Sequence, residues 1–341
     1  MKASSVYFKT MKFVWLKLAL GAAVLAFALI SMVICFLLGS IGNGGGMGIA
    51  IFVWAILVGL ANALVNRYFG YLVKAGHVAM VATIVTTGTV PANQFQVATA
   101  MVKERFATAN VYIALDKLVG GAVGQLQKAV GKVGGLLENI PGMSAIVDFL
   151  QMFIGIALGY VDECCLGYTF LHKDQSAYKS AADGVVIYFQ NWKKLLKDAL
   201  FTTLIVIGLS VAAWLLPFLM FWGIFGLFGM EMGWLFALIL GIFVSAMIKS
   251  AFIDSYMMVK MMVSYMQVAP TTEITFDLYG KLCKLSNKFK SLFDKGQAEQ
   301  PVYATAPAAA VAPVAPVAPV EAPVVTPVSN MAPTDPTNPQ V

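Results

Sequence analysis

Residues 194–262 read KLLKDALFTTLIVIGLSVAAWLLPFLMFWGIFGLFGMEMGWLFALILGIFVSAMIKSAFIDSYMMVKMM. Two apolar stretches stand here on either side of a glycine-rich turn at 223–233, and lysines flank the whole segment. An α-helix needs about 20 predominantly apolar residues to cross a bilayer. The segment therefore predicts a transmembrane hairpin, with spans at about 199–220 and from Trp234 to about Ile248, extending towards Met262. Pro217 is expected to kink or end the first of these spans.

A similar hairpin precedes it. After Lys2, Lys9, Lys12 and Lys17, residues 18–38 form an apolar run that exceeds the about 7–15 residues of a signal-peptide core. The uncharged, glycine-rich stretch 39–48 (GSIGNGGGMG) suits a turn at the far membrane face. The next apolar run begins at Ile49 and continues to about Val65, or as one helix to Lys74. We therefore expect a retained first span and a second span antiparallel to it.

The composition also indicates a membrane protein. The 341 residues are 59% hydrophobic and 12% charged, whereas soluble domains average about 45–50% apolar and about 25% charged residues. The net charge of +6 resides on lysines that flank apolar runs, so we predict a lipid bilayer and no nucleic acid as the partner. The four cysteines form no CxxC motif or disulfide framework.

Residues 146–170 leave the number of spans open. They are long enough to cross, but Asp148, Gln151, Asp162 and Glu163 interrupt them. If they do not cross, 22 of the 23 Lys and Arg residues fall on one side of the membrane, and Lys249 alone lies within a span. If they do cross, the lysines that follow them move to the outside. The positive-inside rule favours four spans, with both termini cytoplasmic and 146–170 on or dipping into the cytoplasmic face.

The region between the hairpins predicts cytoplasmic amphipathic helices. Apolar residues recur at three- and four-residue spacing from Phe95 to Ile113 and from Leu115 to Leu136. Residues 176–196 predict a surface helix that Ser176 caps. Two GxxxG spacings, Gly120/Gly124 and Gly131/Gly135, either allow close helix packing or merely weaken the helix.

The predicted organisation has five parts. These are a first hairpin (1–74), an interfacial helical region (75–196), a second hairpin (197–268), a basic cytoplasmic helix (269–300) and a disordered tail (301–341). The tail is rich in Pro, Ala and Val and cannot bury a core. It is either a spacer or a ligand for a cytoplasmic partner.

Catalytic motifs are absent from the sequence. No GxSxG, HExxH, Walker or GxGxxG pattern occurs, and Asp162, Glu163, Cys164, Cys165 and His172 lack the spacing of metal ligands. We expect no enzymatic activity, metal or cofactor.

Polar residues inside the spans are the functional candidates, because burying them in lipid is costly. Asn62 and Asn66 share one helix face, Ser245 and Lys249 share another, and Ser250 and Asp254 share a third. They either line a polar pathway or serve packing and interface anchoring.

Three stretches resemble the C-terminal half of the choline transporter-like family, over about residues 76–267. Residues 77–91 (HVAMVATIVTTGTVP) resemble its GTVA-type helix end. Residues 160–189 resemble its cytoplasmic element and SARDAF-like motif, and they contain Asp162, Glu163 and Asp183. Residues 251–265 (AFIDSYMMVKMMVSY) resemble its last span, in which Asp254 belongs to a VDT-like motif. The resemblance implies a transporter-like membrane architecture.

Two functions follow from these observations. The first is a transporter or channel for a small solute, with a polar pathway between the hairpins lined by Asn62, Asn66, Ser245 and Lys249. Because four spans enclose little space, a homo-oligomer is expected to complete it. The two hairpins also align weakly as a repeat, LVGLANALVNR (57–67) against ILGIFVSAMIK (239–249). The alternative is a membrane scaffold that recruits partners through its amphipathic helices and tail.

Overall fold

A computed structural model of the chain describes residues 1–41, 46–106, 109–135, 151–153, 155–156, 158–229 and 233–299. This part of the chain is helical almost throughout and contains no β-strand, so the predicted all-α class is confirmed for it. The helices are α1 (Ala3–Lys9), α2 (Met11–Ile41), α3 (Gly46–Val65), α4 (Tyr71–Thr87), α5 (Gln94–Phe106), α6 (Ala109–Gly135), α7 (Val161–Leu171), α8 (Ala177–Gln190), α9 (Trp192–Leu227), α10 (Gly233–Ile248), α11 (Asp254–Val268), α12 (Phe276–Leu285) and α13 (Asn287–Ala298). The predicted tail lies outside the described residues.

Four helices are long and apolar enough to cross a membrane: Met11–Ile41, Gly48–Thr87, Trp192–Leu227 and Gly233–Thr271. Their large apolar side chains, such as Ile30, Leu60 and Leu216, are exposed over more than half of their surface. Side chains of this kind face lipid when such helices are inserted in a bilayer. The prediction of four apolar helices is confirmed.

The second and fourth of these helices are long rods, called the first and the second rod. In each rod a short π-helical segment joins two α-helices: Asn66–Gly70 (π1) in the first rod and Lys249–Ile253 (π2) in the second. The first rod comprises α3, π1 and α4, and the second comprises α10, π2 and α11. In the weak alignment of 57–67 with 239–249, position 66 corresponds to 248. Since π1 begins at 66 and π2 at 249, the starts of the two π segments differ by one position in that alignment. The two hairpins therefore share a local distortion at matching places.

The first hairpin is held by α2 against α3. Trp54 of α3 is 2% exposed, and its indole N–H donates a hydrogen bond of 2.8 Å to the carbonyl of Ala28 in α2. A buried indole needs such a partner, so this contact fixes how the two helices face each other. Helix α2 continues to Ile41 and α3 begins at Gly46, so both helices extend into the stretch 39–48 that was predicted as a turn, and residues 42–45 lie outside the described part of the chain.

The second hairpin differs from its prediction at Pro217. The helix α9 continues through Pro217 to Leu227 instead of ending near it. The next turn of α9 packs closely on α10, because a Cβ added to Gly241 would lie 2.9 Å from the Cα of Phe218. This tight packing supports the helix where the proline removes a hydrogen bond. Gly229, with φ of 63°, then begins the turn in the left-handed conformation that favours glycine.

Both rods leave the hairpins and enter one helical bundle, formed by α1, α4–α8 and α11–α13 and called the bundle below. In α4, every residue from Ala75 to Ala82 is buried, and in α11 nearly every residue from Met257 to Val268 is buried. A helix that is apolar on all sides belongs in a protein core, which here is shared by α4, α7, α8 and α11. Because both rods end there, the two hairpins have the same sense.

The bundle corrects one expectation about its central helices. Helix α7, which covers the second half of 146–170, is packed inside the bundle, with Glu163–Phe170 buried throughout. Helix α8 is capped by Ser176, whose hydroxyl accepts the Lys179 backbone N–H at 3.1 Å. It is not the predicted surface helix, since Ser180–Tyr188 are all buried and the helix ends at Gln190.

Candidate functional site

A cleft of about 1430 Å³ lies between the two hairpins where they meet the bundle. Its walls come from α2, from the first rod at π1, from α9 and from the second rod at π2, and α6 and α7 contribute charged groups at the bundle end. The volume exceeds the about 300–1,000 Å³ typical of small-ligand pockets. We refer to it as the cleft.

The π segments form the polar wall of the cleft. An extra residue in a helical turn changes the direction of nearby side chains, and such segments are frequent at functional sites. Asn66, Arg67 and Gly70 of π1 line the cleft, and so do Lys249 and Ser250 of π2. The matching distortions in the two rods thus bring polar groups of both hairpins to one space.

Four of the five predicted pathway residues line the cleft. The Asn66 side-chain amide donates a hydrogen bond of 2.7 Å to the side-chain oxygen Oδ1 of Asn62, so the two asparagines are hydrogen-bonded to each other within the first rod. Lys249 forms an ion pair of 2.6 Å with Asp254, which also accepts a 3.1 Å hydrogen bond from the Tyr160 hydroxyl. Ser245 does not line the cleft. Its hydroxyl is buried and donates to the Gly241 carbonyl at 2.6 Å, as a serine inside a helix commonly does.

A lysine surrounded by three carboxyl groups stands at the bundle end of the cleft. The Lys74 ammonium lies 3.0 Å from Asp116, 2.8 Å from Asp162 and 3.2 Å from Glu163. Helix α4 carries the lysine, α6 carries Asp116, and the first turn of α7 carries the other two acids. This group is called the Lys74 cluster below. Charges that leave water in this way require such partners.

Burial and neighbouring charges act differently on the three carboxyl groups. Burial raises the pKa of Asp116, and Lys74 offsets part of that rise. Burial opposes ionisation of Asp162 as well, but the Lys74 ammonium and hydrogen bonds to the carboxylate together outweigh it and leave the pKa of Asp162 lowered. Burial and then the charge of Asp162 hold the pKa of Glu163 well above its usual range. The cluster therefore favours an ionised Asp162 beside a protonated Glu163.

Glu163 also carries a free polar atom. Its Oε2 is buried and has no hydrogen-bond partner among the described residues, while its other carboxyl oxygen lies by Lys74. The side chain belongs to the cleft lining. A buried carboxyl oxygen without a partner favours the neutral acid, in agreement with the raised pKa.

Sequence reasoning misses several cleft residues. It interprets Lys17 and Lys74 as topology signals only, and it does not single out Asp116. A signal for Asp116 is nevertheless present, since an acid sits beside the apolar positions Tyr112, Leu115 and Val119, all of which are buried in α6. Its partner is not visible in the sequence, because Lys74 belongs to another helix.

Asp183 lies in a separate polar network of the bundle. It pairs with Lys179 and accepts a 3.0 Å hydrogen bond from the Gln175 side chain. Nearby, the Ser180 hydroxyl accepts from Arg105 at 2.8 Å and donates to the His172 carbonyl at 3.0 Å. This network ties α5, α8 and the α7–α8 connection together and does not belong to the cleft lining.

The first of the two glycine spacings does not mark a helix contact within the described chain. A Cβ added at Gly120 or Gly124 would meet nothing within 4 Å among the described atoms. The surroundings of Gly131 and Gly135 lie outside the described residues, so the second spacing stays a prediction.

Residues 77–91, 160–189 and 251–265 contribute to the bundle core. They correspond to the second half of α4, to α7 with α8, and to α11, which pack on one another. Tyr160, Glu163 and Asp254 reach the cleft from them.

No three His, Cys, Asp or Glu side chains are grouped as metal ligands in the described ranges. No family model, curated protein or solved structure matches the chain.

Proposed function

We propose that the chain is a multi-pass membrane protein of transporter- or channel-like type, whose cleft binds the solute that it moves. The observation that carries this proposal is the cleft itself, because it places polar residues of both hairpins on a wall of otherwise apolar helices. Polar groups at membrane depth commonly mark substrate or ion pathways. The resemblance to choline transporter-like proteins supports the same function.

The orientation belongs to the proposal as well. The bundle and both chain termini lie on the cytoplasmic side, because Lys and Arg concentrate there and are lacking from both hairpin turns. Both π segments lie at the start of the bundle, so the cleft is at the cytoplasmic end of the spans. Movement of one rod against the other at π1 and π2 would open the cleft further.

A release assay with a mixture of candidate solutes tests the proposal. Proteoliposomes containing the full chain are loaded with a defined mixture of amino acids, amines including choline, nucleosides and organic acids. Mass spectrometry then measures how fast each compound leaves. Ala246→Trp fills the cleft, and Ala63→Trp is its matched control, because Ala63 is exposed on α3 outside the cleft lining.

We expect at least one compound to leave faster than from protein-free liposomes. Ala246→Trp should slow that release about tenfold, since about 1.4 kcal/mol of lost transition-state stabilisation suffices for such an effect, whereas Ala63→Trp should not. Release equal to that of protein-free liposomes for every compound would contradict the proposal and favour the membrane scaffold.

A further inference from the structure

We propose that a second ligand of the cleft is an acidic lipid, with its anionic headgroup at Lys17, Arg67 and Lys117 and an acyl chain along the apolar wall. This inference goes beyond the proposed function, because the lipid occupies the same cleft and is not the solute that the protein moves. Four kinds of observation carry it: the charge balance, the division of the lining, the depth of the cleft and its open side.

The charge balance of the cleft is cationic once internal pairs are set aside. Lys249 is paired with Asp254, and Lys74 is surrounded by three carboxyl groups. Three cations of the lining remain, namely Lys17, Arg67 and Lys117.

These three cations have no ion-pair partner among the residues that the structure describes. Lys17 donates to the Ser255 hydroxyl at 2.9 Å and has no carboxylate within ion-pair distance among the described residues, and Arg67 and Lys117 are exposed. The cleft carboxylates of Asp116 and Asp254, in contrast, each have a lysine partner. The complementary ligand group is therefore an anion, and a phosphate ester suits both guanidinium and ammonium donors.

The opposite part of the lining is apolar. Val24, Val206, Val211, Trp214 and Phe243 line the cleft beyond its charged end. A small hydrated anion would leave these side chains in contact with water, whereas an acyl chain would cover them at about 0.8 kcal/mol per buried CH₂ group. The lining thus fits a ligand with one charged and one hydrocarbon end.

The depth of the apolar part matches one lipid leaflet. Phe243 precedes Asp254 by 11 residues in the second rod, which corresponds to about 16 Å at about 1.5 Å per residue. The hydrocarbon core of a bilayer is about 30 Å thick, so a leaflet contributes about 15 Å. A lipid whose headgroup lies at the bundle end would therefore keep its normal depth.

The cleft has an open side towards the bilayer. Helix α2 packs on the first rod and also on α10 and π2, so it closes the back of the cleft. Helix α3 packs on α2 but makes no extensive contact with α9 or α10 in the described chain. The gap between α3 and α9 is the route by which a lipid enters. A second copy of the chain fits this gap poorly, since it would bring the same unpaired cations together.

Lipid titration of the purified full chain in a non-ionic detergent tests the inference. The probes are palmitoyl-oleoyl phosphatidylglycerol and the phosphatidylcholine with the same chains, and native mass spectrometry counts the bound lipids. Glycerol 3-phosphate serves as a headgroup without chains. The headgroup variant is Arg67→Gln/Lys117→Gln, and its charge-matched control is Lys284→Gln/Lys290→Gln, at exposed positions outside the cleft lining. Val211→Trp obstructs the apolar part, and Leu209→Trp is its control, exposed on the same helix.

We expect one phosphatidylglycerol to bind at least about tenfold more tightly than phosphatidylcholine, as about 1.4 kcal/mol of headgroup recognition would produce. The headgroup variant should lose this preference, and Val211→Trp should weaken binding of both lipids. Both controls should behave as wild type, and glycerol 3-phosphate should not displace the lipid.

Equal binding of the two lipids by wild type would overturn the inference. So would a preference that survives in the headgroup variant. Displacement of the lipid by equimolar glycerol 3-phosphate would identify a small-anion site instead. A wild-type dimer that excludes lipid would assign the gap to a second copy.

The proposed function is tested separately. Solute release from liposomes of pure phosphatidylcholine does not depend on acidic lipid. Release that persists there, combined with no lipid preference, would refute the lipid ligand and leave the transport function standing.

Discussion

Replacement of Lys74 by methionine tests whether the Lys74 cluster holds α4, α6 and α7 together in the bundle. Methionine keeps the unbranched shape of the lysine stem but removes the ammonium that lies within 3.2 Å of three carboxyl groups. Those carboxyl side chains are only 8%, 17% and 11% exposed, so water cannot replace the lost cation without structural change. Removal of one partner of a buried pair costs about 3–5 kcal/mol.

We expect the lower end of that range, because the Lys74 side chain itself keeps 23% exposure. A loss of about 3 kcal/mol lowers the Tm of a domain of roughly this size by about 6–12 °C. The assay is thermal unfolding in detergent, followed by intrinsic tryptophan fluorescence. The control is Lys281→Met, which removes an ion pair with Asp277 at the exposed surface of α12 and should cost less than about 1 kcal/mol.

The pH dependence separates an electrostatic loss from a packing loss. Without the ammonium, the pKa of each clustered carboxyl group rises, and the variant then loses stability as the pH rises through those values. The deficit of Lys74→Met should therefore be larger at about pH 8 than at about pH 5. A Tm loss in Lys74→Met no larger than that in Lys281→Met would refute the role assigned to the cluster. A Tm loss that does not change with pH would refute it as well.

Three further substitutions probe other contacts, each by Tm in the same detergent. Glu163→Gln imitates the protonated acid; because the pKa of Glu163 is raised in the folded state, wild type loses stability as the pH rises. The Tm of Glu163→Gln minus the Tm of wild type should therefore increase from about pH 5 to about pH 9. A Tm difference that does not change with pH would contradict the raised pKa of Glu163. Gly241→Ala places a Cβ 2.9 Å from the Cα of Phe218 and should cost about 1–3 kcal/mol. The control Gly59→Ala has open space around the added Cβ and should be neutral or stabilising by up to about 1 kcal/mol. Equal Tm changes in the two glycine variants would mean that the close approach of Gly241 to Phe218 does not limit the side chain there. Trp54→Phe removes the hydrogen bond to Ala28 and should cost about 1 kcal/mol, and an unchanged Tm would mean that this bond does not hold the first hairpin.

The sequence was a good guide to the four long apolar helices. A helix needs about 20 apolar residues to cross a bilayer, and the structure contains four helices with apolar stretches of this length. The same reasoning was less successful at helix ends. Pro217 was expected to end or kink its span, but the contact between α9 and Gly241 supports the helix there. That contact belongs to the pairing of two helices and leaves no mark on the periodicity of either one.

The bundle was harder to predict than the spans. Residues 176–196 show an apolar stripe that is typical of a surface helix, but α8 is buried on nearly all sides. Its polar residues are satisfied inside the core, as Ser180 is by Arg105 and His172. Periodicity separates apolar from polar positions, but it cannot distinguish water from a buried hydrogen-bond partner.

The sequence by itself determined the four apolar helices, the concentration of lysines beside them and the polar character of Asn62, Asn66, Lys249 and Asp254. These properties depend on local composition, which is fully present in the chain. Only the tertiary structure decided which charges meet. Lys74 reaches Asp116 across 42 residues and Asp162 across 88. Such pairings are set by the packing of α4 between α6 and α7, because helices that are distant in sequence become neighbours only when the rods enter a common core.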